Sequence, residues 1–215
     1  MSNTPGRPPT TDSDLDGRGQ GVHFEGDLRR ALMDAAIVAL ENVGVEGLSL
    51  RGLARSIGVS HAAPAHHFVD KAGLLTAIAT EGFELFVTRL QAVPAFAPDD
   101  GMQGLGALGL AYAQFADDHP GHFEVMFRPS ILRATEPGYV RSSRAAYGAL
   151  RDHIARYQRD GWRAAQDLDS LTTAVWGLVH GLSVLRAGGS LEPRHPAATV
   201  DDLVGIAASL IMPES

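Results

Sequence analysis

"SLRGLARSIGVSHAAPAHHFVDKAGLL", residues 49 to 75, carries the start and stop signals of two short helices and the opening of a third. Ser49 is placed to cap a helix in which Leu50, Leu53, Ala54 and Ile57 follow the i, i+3, i+4, i+7 spacing of one buried face. Gly58 tolerates the positive φ that ends such a helix, and Val59 follows as a plug between it and the next. Ser60 is placed to cap the second helix, whose small residues Ala62 and Ala63 let a backbone lie close to a flat surface, as in a major groove. Two short helices joined by Gly-Val-Ser have the sequence form of a helix-turn-helix, although any short helical hairpin with glycine in its turn shares that form.

Working outward, Leu28, Leu32, Ala35, Ala39 and Val43 recur at helical spacing before Gly44. Downstream, the pattern runs from Asp70 to Val93 with Gly73 and Gly82 as its only breakers, and Pro94 closes it. Leu105, Leu108, Tyr112 and Phe115 mark another helix, "GHFEVMF" a short one, Tyr139 to Tyr157 and Asp169 to Arg186 longer ones, and Val200 to Met212 the last. Long alternating β-branched runs are missing, so the pattern predicts an all-α fold. A three-helix head over residues 26–71 is joined by a long helix to a C-terminal helical domain over 72–215. Residues 1–25, rich in Gly, Pro, Asp, Ser and Thr with almost nothing to bury, read as a disordered tail.

The stretch from about Leu28 to Val93 resembles the TetR family of bacterial transcriptional repressors, and "HHFVDKAGLL" carries much of that likeness. The resemblance implies a DNA-binding head, a linking fourth helix and a ligand domain. It implies phosphate contacts at His67 and Lys71, with Phe68 plugging the core of the head. With the exposed positions of the motif, the candidate DNA-contacting set is Ser49, Arg51, Ser60, His61, Ala62, Ala63, His66, His67 and Lys71. The chain departs from the family at Ala65, where a tyrosine usually reaches a phosphate, and at Pro64, where an aliphatic residue is usual. Four residues after a Ser60 cap, Pro64 deletes the first bond to the cap carbonyl, which predicts a shortened or distorted reading helix.

Composition narrows the alternatives. A net charge of −7 makes general polyanion binding a poor fit, but residues 26–71 carry five basic and five acidic residues, leaving the head neutral. No cysteine is present, which excludes disulfides and thiolate metal sites and fits the cytoplasm. The N-terminus lacks a signal-peptide pattern. The longest uncharged stretches, Met102 to Ala116 and Ser170 to Leu185, fall short of the roughly 20 residues of a spanning helix, so no membrane is expected. His61, His66 and His67 have no carboxylate one turn away, and adjacent helical positions point about 100° apart, so they do not form a metal site. Glu192 to His195 is interrupted by prolines, and no serine is tied to a histidine and an acid. Neither an enzyme nor a cofactor is expected.

Phe83, Phe86, Tyr112, Phe115, Phe123, Met126, Phe127, Tyr147 and Trp176 gather most of the chain's aromatics onto the C-terminal helices. Each alone reads as ordinary core. As a set beside Gly104, Gly106 and Gly109 they suggest a cavity for a small, largely apolar effector. His180 shares a face with Trp176, and two readings stand: it orients a polar group of the ligand, or it is a hydrogen-bonded core histidine. "AVWGLVHGLSVL" resembles a C-terminal domain type of TetR-like regulators named for a Trp-His-Gly pattern, here Trp176, His180 and Gly181. That resemblance implies a homodimer through the last two helices. A repressor of operator DNA, released by its effector, follows as the expectation; the alternative is a dimeric ligand-binding protein whose head has lost DNA affinity.

Overall fold

The computed structural model describes residues 17–94, 101–191 and 199–211, and every element within them is helical. In chain order these are α1 (Gly17–Gly47), α2 (Leu50–Ser56), α3 (Ala63–Phe68), α4 (Lys71–Gln91), α5 (Gly101–Asp118), α6 (Pro120–Met126), α7 (Pro137–Arg159), α8 (Leu168–Ala187) and α9 (Val200–Ile211). A single 3-10 turn at Pro129–Ile131 lies between α6 and α7. The helical backbone of α1 begins inside the segment read as a tail; the tail up to residue 16 and the Glu192 to His195 spacing lie outside the described residues.

Local chemistry sets the ends of the head helices. Gly44 breaks α1 with φ 66° and ψ −176°, as its position predicts. Ser49 is extended and its Oγ accepts from the Gly52 N–H at 3.1 Å, starting α2. At the other end the Val59 N–H donates to the Ala54 carbonyl at 2.9 Å and the Gly58 N–H to Arg55 at 3.3 Å, with Gly58 at φ 72°. Those two bonds around a left-handed glycine are a Schellman closure. The next start differs from expectation. Ser60 does not cap α3; the helix begins at Ala63, its N-cap Ala62 has no side-chain bond, and Pro64 sits in the first turn. Proline lacks an N–H and disfavours a helical residue before it, so it is accommodated only where the first N–H groups are unpaired anyway. The helix therefore starts beside Pro64 rather than at Ser60, and it spans only six residues.

One apolar core runs through head and body. Leu32, Leu53 and Phe68 from the head meet Leu74 and Ile78 of α4, and Phe86 and Leu90 carry the same helix on to Leu108, Phe115, Leu150 and Ile154. Each such side chain contributes about 1.5–3 kcal/mol on burial, so α4 is fixed from both ends. Asp70 caps it, its Oδ1 accepting from the Gly73 N–H at 2.8 Å. The short α6 is wedged between α1 and α4. A Cβ at Gly121 would stand 2.7 Å from the Ile37 carbonyl oxygen, and one at Gly82 2.7 Å from Met126 Sδ. At Gly121 the obstructing atom is backbone, which lets α6 touch α1 at backbone distance, while at Gly82 the glycine makes room for the Met126 and His122 side chains.

By length and composition α8 is apolar enough to cross a bilayer, slightly beyond what its uncharged stretch alone indicates. In the fold one face of it packs on α5 and α7 through Thr172, Val175, Val179 and Ser183. Leu178, Val184 and Leu185 remain exposed on it, as does Ile206 on α9.

Candidate functional site

Two surfaces bring the candidate residues together. On the head, Arg51, Ser60, His61, Ala62 and His66 are exposed, and Ala63, His67 and Lys71 are half-buried. Ser49 is engaged as the cap of α2. The side chains of Arg51, His61 and His66 make no ion pair or hydrogen bond among the described residues, so their polar atoms are available to a partner. Phe68 is buried, with the Arg29 guanidinium 5.1 Å from its ring centroid, which fits its role as a plug. Lys71 is less free than expected: its ammonium donates to the Val45 carbonyl at the end of α1. Pro64 is buried and Ala65 exposed, so the position where a tyrosine is usual does face outward.

The second surface is a cavity of about 430 Å³ among α4, α5, α6, α7 and α8. Phe83, Phe86, Tyr112, Met126, Phe127, Tyr147, Trp176 and His180 line it, as the set of aromatics suggests. Phe115 and Phe123 do not. Phe115 is fully buried between Phe86, ring centroids 5.0 Å apart, and His119 at 4.9 Å. Phe123 packs behind the wall against Phe127 at 5.4 Å and His180 at 5.6 Å. Both belong to the core that backs the cavity. The sequence reading missed Pro129, Tyr139, Ser143, Ala146 and Leu150. Tyr139, Ser143, Ala146 and Leu150 form a stripe of four- and three-residue steps along α7, a signal that was present but read only as helix.

The polar groups of the cavity form one chain. Trp176 Nε1 donates to Tyr112 Oη at 3.1 Å, and Tyr112 Oη lies 2.9 Å from His180 Nδ1. Burial pushes the Tyr112 hydroxyl above its ordinary pKa and holds the His180 imidazole below its own, so both are neutral at pH 7. Of the two readings of His180, the hydrogen-bonded one is met, and the side chain also lines the cavity.

The cavity wall continues into contacts with the head. Phe127 and Pro129 line the cavity, and between and just beyond them Arg128 and Arg133 reach back to the head. Arg128 pairs with Glu46 at 3.2 Å, while Arg133 pairs with Asp70 at 2.9 Å and donates its backbone N–H to Thr76 Oγ1 at 2.8 Å. The Gly73 N–H and then Arg133 hold the Asp70 carboxyl below the usual carboxylate range. A third tie crosses α6: Glu81 of α4 accepts from Arg30 of α1 and lies 3.0 Å from His122 Nε2. Burial raises the Glu81 pKa, but those two hydrogen bonds outweigh it and hold the carboxyl low. Partly exposed pairs of this kind are worth about 0–1 kcal/mol each, so they set positions more than stability. Among the described residues no three potential metal-ligating groups cluster.

Residues 32–78 match the model of the bacterial regulatory proteins of the tetR family, and residues 105–207 match a Tetracyclin repressor-like C-terminal domain that includes Trp176, His180 and Gly181. The HTH-type transcriptional regulator BetI of Escherichia coli (strain K12 / DH10B) is 33% identical over 81 residues, which span 36% of this chain and 42% of that protein. A Rhodococcus sp. RHA1 protein of unknown function superposes with a TM-score of 0.71 at 31% identity, covering 86% of this chain and 93% of that one. AibR, solved in complex with isovaleryl coenzyme A and operator DNA, shares the fold with a TM-score of 0.65 at 17% identity, over 87% of this chain and 100% of that one. With the head and the body both matched by models of one family, and with a helix-turn-helix joined by α4 to a helical domain, the chain belongs to the TetR family of bacterial regulatory proteins.

Proposed function

We propose that the protein is a homodimeric, cytoplasmic repressor that binds operator DNA through its head and is released by a small, largely apolar effector in the cavity of its body. The observation that carries this reading is the continuity between cavity and head: Phe127 and Pro129 line the one, and Arg128 and Arg133 beside them grip Glu46 and Asp70 of the other. A molecule that displaces the wall moves the grips, and a differential affinity of this kind is what an effector needs to shift an equilibrium. AibR, whose structure holds both an acyl coenzyme A and operator DNA, supports the pairing of a ligand with DNA on this fold. Leu178, Gly181 and Leu185 lie on one side of α8, and a Cβ at Gly177, Gly181 or Gly205 would meet nothing within 4 Å. That open apolar stripe supports a dimer through α8 and α9. Two heads are needed for specificity, with half-sites about 34–36 Å apart or a multiple of it.

A second reading, a ligand-binding protein whose head has lost DNA affinity, is favoured by the six-residue α3 and by Ala65. A mobility-shift titration on the DNA upstream of the protein's own gene separates the two. Binding should weaken by about 0.9 log units per log of salt for each phosphate neutralised. Lys71→Ala should shallow that slope by about 1 and weaken all sequences alike. An unchanged slope leaves Lys71 only its bond to Val45, and no shift on any duplex favours the second reading. Gly181→Leu overpacks the α8 stripe at a cost of about 1–3 kcal/mol and should yield a monomer or weak dimer in sedimentation; an intact dimer puts the interface elsewhere.

A further inference from the structure

We infer that the molecule this cavity takes is uncharged and ring-bearing, and that its polar group is a hydrogen-bond acceptor held by the Nε2–H of His180. The inference rests on reading the cavity as the effector site, and it adds the charge and the hydrogen-bonding sense of the ligand.

The argument begins with where each proton of the wall goes. Tyr112 is 1% exposed, and its oxygen accepts the Trp176 indole N–H at 3.1 Å. Among the described residues its own proton has one acceptor in reach, His180 Nδ1 at 2.9 Å. If Nδ1 carried the ring proton instead, the buried hydroxyl would be left with a proton and nowhere to donate it, a cost that folded proteins avoid. The network therefore assigns Nδ1 as the acceptor and puts the imidazole proton on Nε2. Nε2 has no partner among the described residues, nor is it among the sealed, unpaired atoms, which are His122 Nδ1, His153 Nδ1 and Trp162 Nε1.

The remaining hydroxyls of the wall have already donated. Tyr139 donates to the Met126 carbonyl, Tyr147 to the Asp169 carbonyl and Ser143 to the Val140 carbonyl, each at 3.3 Å. Among the described residues His180 is thus the one side chain of the wall with a free donor. Among the described residues no Asp, Glu, Lys or Arg lines the cavity, and burial keeps His180 itself neutral, so an anion would find no counter-charge there. A cation would gain from the ring faces but would meet the Nε2–H rather than a carboxylate. Phe83, Phe86, Phe127, Tyr139, Tyr147 and Trp176 make the lining largely aromatic, which suits a flat, ring-bearing ligand.

The test is calorimetric titration of the whole protein, without DNA, against naphthalene carrying an acetyl, a methyl, a carboxylate or a trimethylammonium group. In the wild type the acetyl compound should bind tightest, about three- to tenfold over the methyl compound, the worth of one neutral hydrogen bond. It should exceed the two charged compounds by about tenfold or more. His180→Asn, whose Oδ1 can still accept the Tyr112 proton while the Nε2–H is lost, should bring the acetyl compound down to the methyl compound and leave the methyl compound unchanged. The inference is overturned if a charged compound binds tightest, if acetyl is no better than methyl, if none of the four binds, or if His180→Asn keeps the preference. Should His180→Asn not give a folded circular-dichroism spectrum, the wild-type series decides alone. A protein that shifts no duplex yet prefers the ketone loses the repressor reading and keeps this one; the opposite pair of results does the reverse.

Discussion

The outer face of α3 and the cavity of the body differ in what they leave unpaired. On the head, the side chains of Arg51 on α2, His61 before α3 and His66 on α3 have no partner among the described residues, and α3 itself buries only Pro64 and Phe68. In the body, Trp176, Tyr112 and His180 bond to one another, and the other hydroxyls bond to main-chain carbonyls. Under the proposed function, the first surface would draw its binding energy from charges that a partner brings, and the second from shape and the exclusion of water. A surface of the first kind must be held rigidly by a few contacts. One of the second kind is held by the whole core around it.

The largest test of that difference is Phe68→Ala. Phe68 is 4% exposed and ties α3 to the common core, so truncation should cost about 3–5 kcal/mol in urea denaturation. The loss should fall on the head: gel shifts should disappear while ligand titrations on the folded variant stay near wild type. Equal loss of both would mean that the two surfaces stand or fall together and that the contrast between them is false.

A smaller effect is expected where the regions meet. Gly121 of α6 passes so close to α1 that an added Cβ lies 2.7 Å from the Ile37 carbonyl oxygen, a backbone atom that cannot swing aside. Gly121→Ala should cost about 1–3 kcal/mol, and for a chain of this size Tm should fall by about 2–4 °C for each kcal/mol. Because α6 also carries Met126 and Phe127 into the cavity, the substitution should alter ligand affinity and DNA affinity together, unlike Phe68→Ala. A change in stability with neither affinity moved would show that this crossing is packing alone.

The same contrast explains what could be read from the sequence. The head was legible because its signals are local: Ser49 and the Gly52 N–H it accepts from are three residues apart, and Gly58 closes α2 with its own neighbours. Ser60 misled because two local signals conflicted, and Pro64, which fixes the backbone outright, prevailed over a side-chain cap worth about 1 kcal/mol. The cavity was legible by composition but not by membership. Phe115 and Phe123 have the same residue type as Phe83 and Phe127, and only the rotation of α5 and α6 against their neighbours decides which rings face the space. The ties from Arg128 and Arg133 to the head carry no sequence signal, since their partners lie 82 and 63 residues away.

The smallest effect lies at the junction of α3 and α4, where the rigidity of the reading helix is set. Val69 has φ 65° and ψ −55°, and the Asp70 N–H reaches back to the Phe68 carbonyl at 2.7 Å, which makes a tight γ-turn. A β-branched residue is poorly suited to that conformation, and Val69 is 68% exposed, so its side chain gains little from packing. Left-handed backbone costs a residue with a Cβ roughly 1–2 kcal/mol, which Val69→Gly would relieve. Glycine in turn gives the unfolded chain more freedom, a loss of roughly 0.5–1 kcal/mol. The relief should prevail by up to about 1 kcal/mol, raising Tm by about 2–4 °C at most. DNA affinity should hold, because Ala62 to His67 keep their places when the turn keeps its shape. A lower Tm with intact DNA binding would mean that the valine side chain supports the turn after all. A higher Tm with weaker binding would mean that the strain at Val69 sets the pose of α3, and the head would then depend on a stored distortion as well as on its few contacts.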